Sequence, residues 1–370
     1  MSEPLLLMTP GPTRVPERVL RAGARAMIHH RTAEFSSELG AAIEMLGPVF
    51  GTTSAALPVH TTGRGATEAA ISNLFSPGDE IIACCNGKFG EMWADLAASY
   101  GLVVHRAATD WSREVDAAEI DALLRERPST KAVSLTYGDT STGVCNDIAA
   151  VARVARDRDV LVMVDGVSSI GGMPFAFDEW GVDVAVVASQ KCLMSAPGLA
   201  FVAVSERAWA AYGRGTLPRN YWNFLDIKRH VTQAKPETPG TTPVSLILQV
   251  AEALRMIHEE GLDRVYARHE AMAELTRRRI AELGLTLQMP TLAHHSSTLT
   301  AIACPDGVAP KAIRDPLRAR GILTAAGLGP YEPNAFRIGH MGDIRIADVE
   351  RTVDALAEVL SGLSSATPRG

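Results

Sequence analysis

Between about residues 55 and 205, short apolar runs alternate with longer stretches whose apolar positions recur every three to four residues. The runs are LPVH, EIIAC, LVVHRA, KAVSLTY, VLVMV, VDVAVVA and LAFVAV, and the longer stretches cover 66–75, 90–100, 117–125 and 148–156. Branched runs of this length with helical segments between them predict a mainly parallel sheet covered on both faces, the doubly wound α/β class. VLVMV and VDVAVV lack apolar–polar alternation, which marks central strands buried on both sides.

The stretch 213–243 reads differently, being rich in Pro, Gly, aromatics and charge, and predicts a long irregular connection of the kind that is usually functional or interfacial. Helical periodicity returns over 245–260 and 263–283; LTLQM, SSTLTAIAC and FRIGHM then read as strands, with helices over 311–320 and 346–360. These patterns divide the chain into an N-terminal segment (1–20), a large domain (21–256) and a smaller C-terminal α+β domain (257–370).

Composition narrows the function classes. A chain of 370 residues with 46% hydrophobic and 21% charged residues buries a core without staples. Its net charge of −6 and scattered arginines leave no electrostatic footprint for nucleic acid. Cys84, Cys85, Cys145, Cys192 and Cys304 are odd in number and lack metal spacing, which predicts reduced thiols and a cytoplasmic setting. The opening MSEPLLLMTPGP is too short and Pro-broken for a secretory leader, no run of about 18 apolar residues predicts a membrane span, and the closing ATPRG carries no targeting address.

Only six of the 36 basic residues are lysines, and five of those lie in polar or turn-like surroundings. Lys191 instead follows the apolar run VDVAVVA through Ser189 and Gln190. A lysine desolvated at a strand end has a lowered pKa and becomes a nucleophile for carbonyls; an ion-paired or snorkelling lysine is the alternative. Asp165 ends the run VLVMVD, so in a parallel sheet it emerges beside Lys191 at the carboxyl edge, where doubly wound folds bind ligands. An amine able to form a Schiff base, with an acid able to hold a pyridinium nitrogen protonated, is the pairing pyridoxal phosphate requires. Thr61-Thr62-Gly63-Arg64-Gly65-Ala66 offers hydroxyls and a helix N-terminus to an anion, although Gly-rich turns of this sort also occur without a ligand.

The ordered series TPGPTRVP, HHRTAEF, TTGRGATEAA, NGKFG, STGV, VDGVSSIGG, SQKCLMSAPGLAF and FRIGHMG resembles the class V aminotransferases, in particular the alanine- and serine-glyoxylate group, along nearly the whole chain. The resemblance implies fold type I, a homodimer with shared active sites, and pyridoxal 5'-phosphate as cofactor. Carried over, Lys191 is the Schiff-base lysine and Asp165 the partner of the pyridine nitrogen. Phe89 stacks on one ring face, Val167 covers the other, and Thr140 lies near the phenolic oxygen. Thr62, Gly63, Arg64 and Gln190 hold the phosphate, with Thr242 reaching in from the neighbouring subunit, and Arg337 pairs with the substrate carboxylate. Arg64 stands where many relatives have a small residue or His, a feature that resembles the ureidoglycine-glyoxylate branch, and Asp139 replaces a commoner Glu.

The expected activity is a ping-pong transamination from alanine or serine to glyoxylate or pyruvate. A donor such as ureidoglycine or 2-aminoethylphosphonate is the alternative. A lyase or desulfurase of the same fold is expected to place a His over the ring and a reactive Cys on a mobile loop, where this chain has Phe89 and strand-like cysteines.

Overall fold

The computed structural model describes residues 4–366; the rest of the ATPRG tail and the first three residues lie outside the described residues. Among the described residues eleven strands in chain order form two sheets. β1 is Leu6–Met8, β2 Leu57–Val59, β3 Glu80–Cys84, β4 Val103–Ala107, β5 Thr130–Thr136, β6 Leu161–Asp165, β7 Val184–Ala188, β8 Ala200–Val204, β9 Leu299–Ala303, β10 Ile322–Ala326 and β11 Ala335–Gly339.

The larger sheet has seven strands in the order β2-β8-β7-β6-β5-β3-β4. β4, β3, β5, β6 and β7 run parallel, and β8 is antiparallel to both of its neighbours. Every residue of β6 and β7 is buried, as their unalternating apolar runs predict. Because β8 reverses direction twice over, β2 points the same way as β7. The carboxyl ends Val59, Cys84, Thr136, Asp165 and Ala188 therefore open onto one edge, and these ends and the loops that leave them carry the candidate residues other than Thr242 and Arg337. This is the expected α/β fold with a mainly parallel sheet.

Local chemistry sets the crossover helices. The helix Ile148–Arg156 begins on Asp147, whose carboxylate accepts from Ala150 N–H, and it buries Ile148, Val151, Ala152 and Ala155 at helical spacing. Among the described residues five α-helices are absent from the periodicity reading: Glu17–Gly23, Ala33–Phe50, Phe177–Trp180, Glu206–Tyr212 and Phe224–Val231. Ala33–Phe50 starts on a Thr32 cap and stops at left-handed Gly51, and Phe224–Val231 lies inside the supposedly irregular 213–243. There Asn223 Oδ1 caps the N–H groups of Leu225 and Asp226, and Phe224, Ile227 and Val231 are buried.

The smaller sheet has the order β1-β10-β11-β9. β1 pairs parallel with β10, Leu6 opposite Ile322, so Leu6–Met8 belong structurally to this sheet. Met272, Ile313, Leu317, Phe336, Val349 and Val353 form the core between this sheet and its helices. Residue 257 is Ile257, inside the continuous helix Val244–Glu260, whose buried face packs with Leu39 and Leu46 in the core of the larger sheet. LTLQM does not form a strand: Leu287 makes a single bridge to Ile302, and Pro290, which has no N–H to donate, follows directly. Among the described residues no helix is long and apolar enough to cross a membrane.

Candidate active site

Lys191 and Asp165 leave the carboxyl ends of neighbouring strands and meet in one crevice. Asp165 is buried; its Oδ1 accepts the N–H of Val167 at 3.0 Å, and burial pushes its carboxyl up to about 6 against that hydrogen bond. Trp93 faces this carboxyl, with its indole N–H buried and outside hydrogen-bond geometry to any acceptor. Lys191 is largely desolvated, which pulls its amine down to about 8; the Asp165 carboxylate acts in the opposite sense and Arg337 in the same sense. Both groups thus sit near the middle of the physiological range, where a proton moves between states at small cost.

The Lys191 amine donates to the carbonyl of Pro10. Gly11 lies flush against it at φ +106°, and a Cβ at that position would come 2.6 Å from Lys191 Nζ. Gly11→Ala is therefore expected to lower stability by about 1–3 kcal/mol, since the backbone strain and the collision add. Thermal unfolding checks this, and an unchanged Tm contradicts it.

Arg337 extends from β11 of the smaller sheet across to the larger one. Its Nη1 donates to Thr140 O at 2.9 Å and its Nε to Ala326 O at 2.7 Å, and burial pulls its pKa down to about 10. Thr140 is buried in the loop after β5. Val167, after β6, lies against Gly63, where a Cβ would come 2.6 Å from a Val167 methyl. Thr62 and Arg64 are exposed at the start of the helix Gly63–Leu74, and the Thr62 side chain makes no capping bond to the first-turn N–H groups. Phe89 is half-buried at the start of the helix Lys88–Ser99, with its N–H bound to Asp139 Oδ2 at 3.0 Å. Gln190 is half-buried, and its Oε1 has no hydrogen-bond partner.

Thr242 stands apart. Within this chain its hydroxyl bonds His60 Nε2 at 2.8 Å, two residues before Thr62. Pro10, Gly11, Trp93, His60 and the clamping role of Asp139 were not singled out from sequence. The TPGP turn and the NG pair ahead of Phe89 were the available signals.

The Aminotransferase class-V family profile matches residues 6–348. The chain belongs to the class V aminotransferases. Among its relatives, the "Soluble hydrogenase, small subunit" of Synechococcus sp. (strain PCC 6716) is 39% identical, over 100% of this chain and 96% of that one. The L-aspartate–glyoxylate aminotransferase of Paracoccus denitrificans (strain Pd 1222) is 37% identical, over 97% and 89%. The crystal structure of an alanine–glyoxylate aminotransferase from Nostoc sp. superposes with a TM-score of 0.92 at 30% identity, covering 97% of this chain and 96% of that one.

Class V aminotransferases work with pyridoxal phosphate, and the residues present fit it. A desolvated amine and a buried carboxyl share a crevice, Gln190 carries an unpartnered buried polar atom, and a helix start lies open to an anion. The fold, the class of enzyme and the cofactor expected from sequence agree with these findings.

Proposed function

We propose that the chain transfers the amino group of alanine or serine to glyoxylate or pyruvate in a ping-pong sequence. The observation that carries this reading is the pairing of one buried amine, Lys191, with one buried carboxyl, Asp165, at adjacent strand ends. When bound, pyridoxal phosphate supplies an electron sink for charge developing at the substrate α-carbon. Lys191 would hold the cofactor covalently, and its free amine would take the proton from the substrate α-carbon and deliver it to the cofactor's aldehyde carbon. Asp165 keeps a proton on the pyridine nitrogen through its negative charge, a stabilisation that grows toward the transition state. Phe89 and Val167 would hold the two ring faces, and Thr140 would lie near the phenolic oxygen. Thr62, Gly63, Arg64 and Gln190 bind the phosphate, and Arg337 pairs with the substrate carboxylate.

Two features support alanine or serine. Among the described residues Arg337 is the one buried arginine or lysine that joins the smaller sheet to the Thr140 loop, which suits a donor with a single carboxylate. Glyoxylate appears in the names of both the Paracoccus and the Nostoc relatives, and alanine in the latter. The hydrogenase name belongs to the Synechococcus protein. The desulfurase reading is disfavoured by the cysteines, since burial pushes the thiols of Cys145 and Cys192 up to about 12 and leaves no thiolate at neutral pH.

The working form is a homodimer in the cytoplasm, with Thr242 completing the phosphate site of a second copy. Thr242 lines a cavity of about 720 Å³ beside Met27, which is 72% exposed, so an apolar surface awaits cover there.

A panel of alanine, serine and aspartate against glyoxylate and pyruvate tests the substrate assignment. Turnover is expected to be fastest with alanine or serine, and a preference for aspartate refutes it. The lowered amine pKa adds a second check. Capture of pyridoxal phosphate by the cofactor-free protein should speed up with rising pH and level off above about pH 8, where Lys191 is neutral. A midpoint near the ordinary lysine value of about 10.4 contradicts the assignment.

A further inference from the structure

Asp139 stands in the loop after β5, one residue before Thr140, and is fully buried. Its Oδ1 accepts the N–H of Ser141 at 2.8 Å and the Ser141 hydroxyl at 2.6 Å, while its Oδ2 accepts the N–H of Phe89 at 3.0 Å. Both oxygens accept hydrogen bonds, an arrangement that suits a carboxylate. Burial pushes the Asp139 pKa above the usual carboxylate range, and the hydrogen bonds from Ser141 and Phe89 act against that rise.

The clamp works in two directions. Phe89 lies in the first turn of the helix Lys88–Ser99, where the positive end of the helix dipole favours an anion. Lys88 N–H bonds Ser141 Oγ at 3.0 Å, tying the same two loops a second time. Gly87 closes the remaining side: a Cβ there would collide with the Asp139 carboxyl, so the 87–89 backbone lies flush on it. In the other direction the next residue, Thr140, presents the carbonyl that Arg337 Nη1 binds.

We propose that Asp139 is the positioning residue of the site: by gathering the N–H groups of Phe89 and Ser141 on one buried carboxylate, it fixes both the Phe89 ring and the Thr140 carbonyl that orients Arg337. What the ring and the guanidinium then meet, cofactor and substrate carboxylate, rests on the function proposed above.

The test is Asp139→Asn, which keeps the size and replaces one acceptor oxygen with an NH2 group facing a donor. In the cofactor-free protein, amide exchange in peptides spanning Gly87–Met92 and at Ser141 is expected to rise about tenfold or more, as charge-assisted bonds are lost. In the loaded enzyme, KM for the amino donor should rise about tenfold, more than kcat falls, as Arg337 loses its orientation. The visible circular dichroism of the bound cofactor should change as the Phe89 ring shifts. Unchanged exchange at Phe89 overturns the proposal, and so does a lowered Tm accompanied by unaltered KM and dichroism. Should Asp139→Asn not fold, Ser141→Ala removes one donor to the same carboxylate and the acceptor for Lys88 N–H, and is held to the same outcomes. If the wild-type chain takes up no cofactor, the proposed function fails, and the exchange measurement still decides the clamp.

Discussion

Lys191→Ala is expected to reduce kcat/KM by at least about 10⁴-fold, because one side chain acts both as covalent anchor and as the base that moves the α-proton. No neighbour replaces it: Arg337 is too basic to take up a proton near neutral pH, with a pKa of about 10, and Asp165 is assigned to the pyridine nitrogen rather than to the α-carbon. The fold should survive. The amine is desolvated and carries an unfavourable burial, and its one hydrogen bond goes to the Pro10 carbonyl at the edge of the crevice. Unfolding within a few degrees of the wild type, together with lost turnover, is the expected pair of results. Retained turnover moves the chemistry to another residue.

Asp165→Asn is expected to lower kcat about 10³-fold while leaving cofactor binding measurable, since an amide preserves the shape and removes the charge that holds a proton on the pyridine nitrogen. The same substitution has an opposite consequence for stability. Burial raises the folded-state pKa of Asp165 to about 6 from an unfolded value near 3.9, so the folded protein binds the proton more tightly. The carboxyl therefore costs nothing below both values, and stability is lost as pH rises through about 4 to 6. Above that window the loss is complete, at most about 3 kcal/mol. Cofactor-free Asp165→Asn should accordingly unfold at higher temperature than the wild type at pH 8 and nearly match it at pH 4. A lower Tm at pH 8 contradicts this account of the buried acid.

The large sheet was legible because its strands are buried on both faces and its crossover helices are amphipathic, so periodicity and packing point the same way in β3 to β8. β1 was not, because three residues hold strand geometry only through pairing with Ile322–Thr324 at the other end of the chain. The helix Phe224–Val231 was hidden by its neighbours: the Pro and Gly around it mark a loop, and its Asn223 cap and three buried apolar residues were too short a signal. LTLQM misled in the opposite sense, since its alternation belongs to a segment that bridges β9 at one point and then turns away at Pro290.

At the site, Lys191 and Asp165 stood out as charges at the ends of apolar strands. The contacts that hold them did not, because each joins residues far apart in sequence: Lys191 with Pro10 across 181 residues, Arg337 with Thr140 across 197, Phe89 with Asp139 across 50. Such pairs follow from strand order, which periodicity alone does not supply. Asp139 looked like a substitution of one acid for another, and only the adjacency of β3 and β5 places its carboxylate on the Phe89 N–H.

One covalent bond, to the amine of Lys191, is what the proposed activity requires of this chain. Loading the protein with pyridoxal phosphate, fixing the bond with borohydride and mapping the peptides by mass tests it directly. The account predicts a single adduct on the peptide carrying Lys191. No adduct, or one on Lys88, Lys131, Lys228, Lys235 or Lys311, would contradict it.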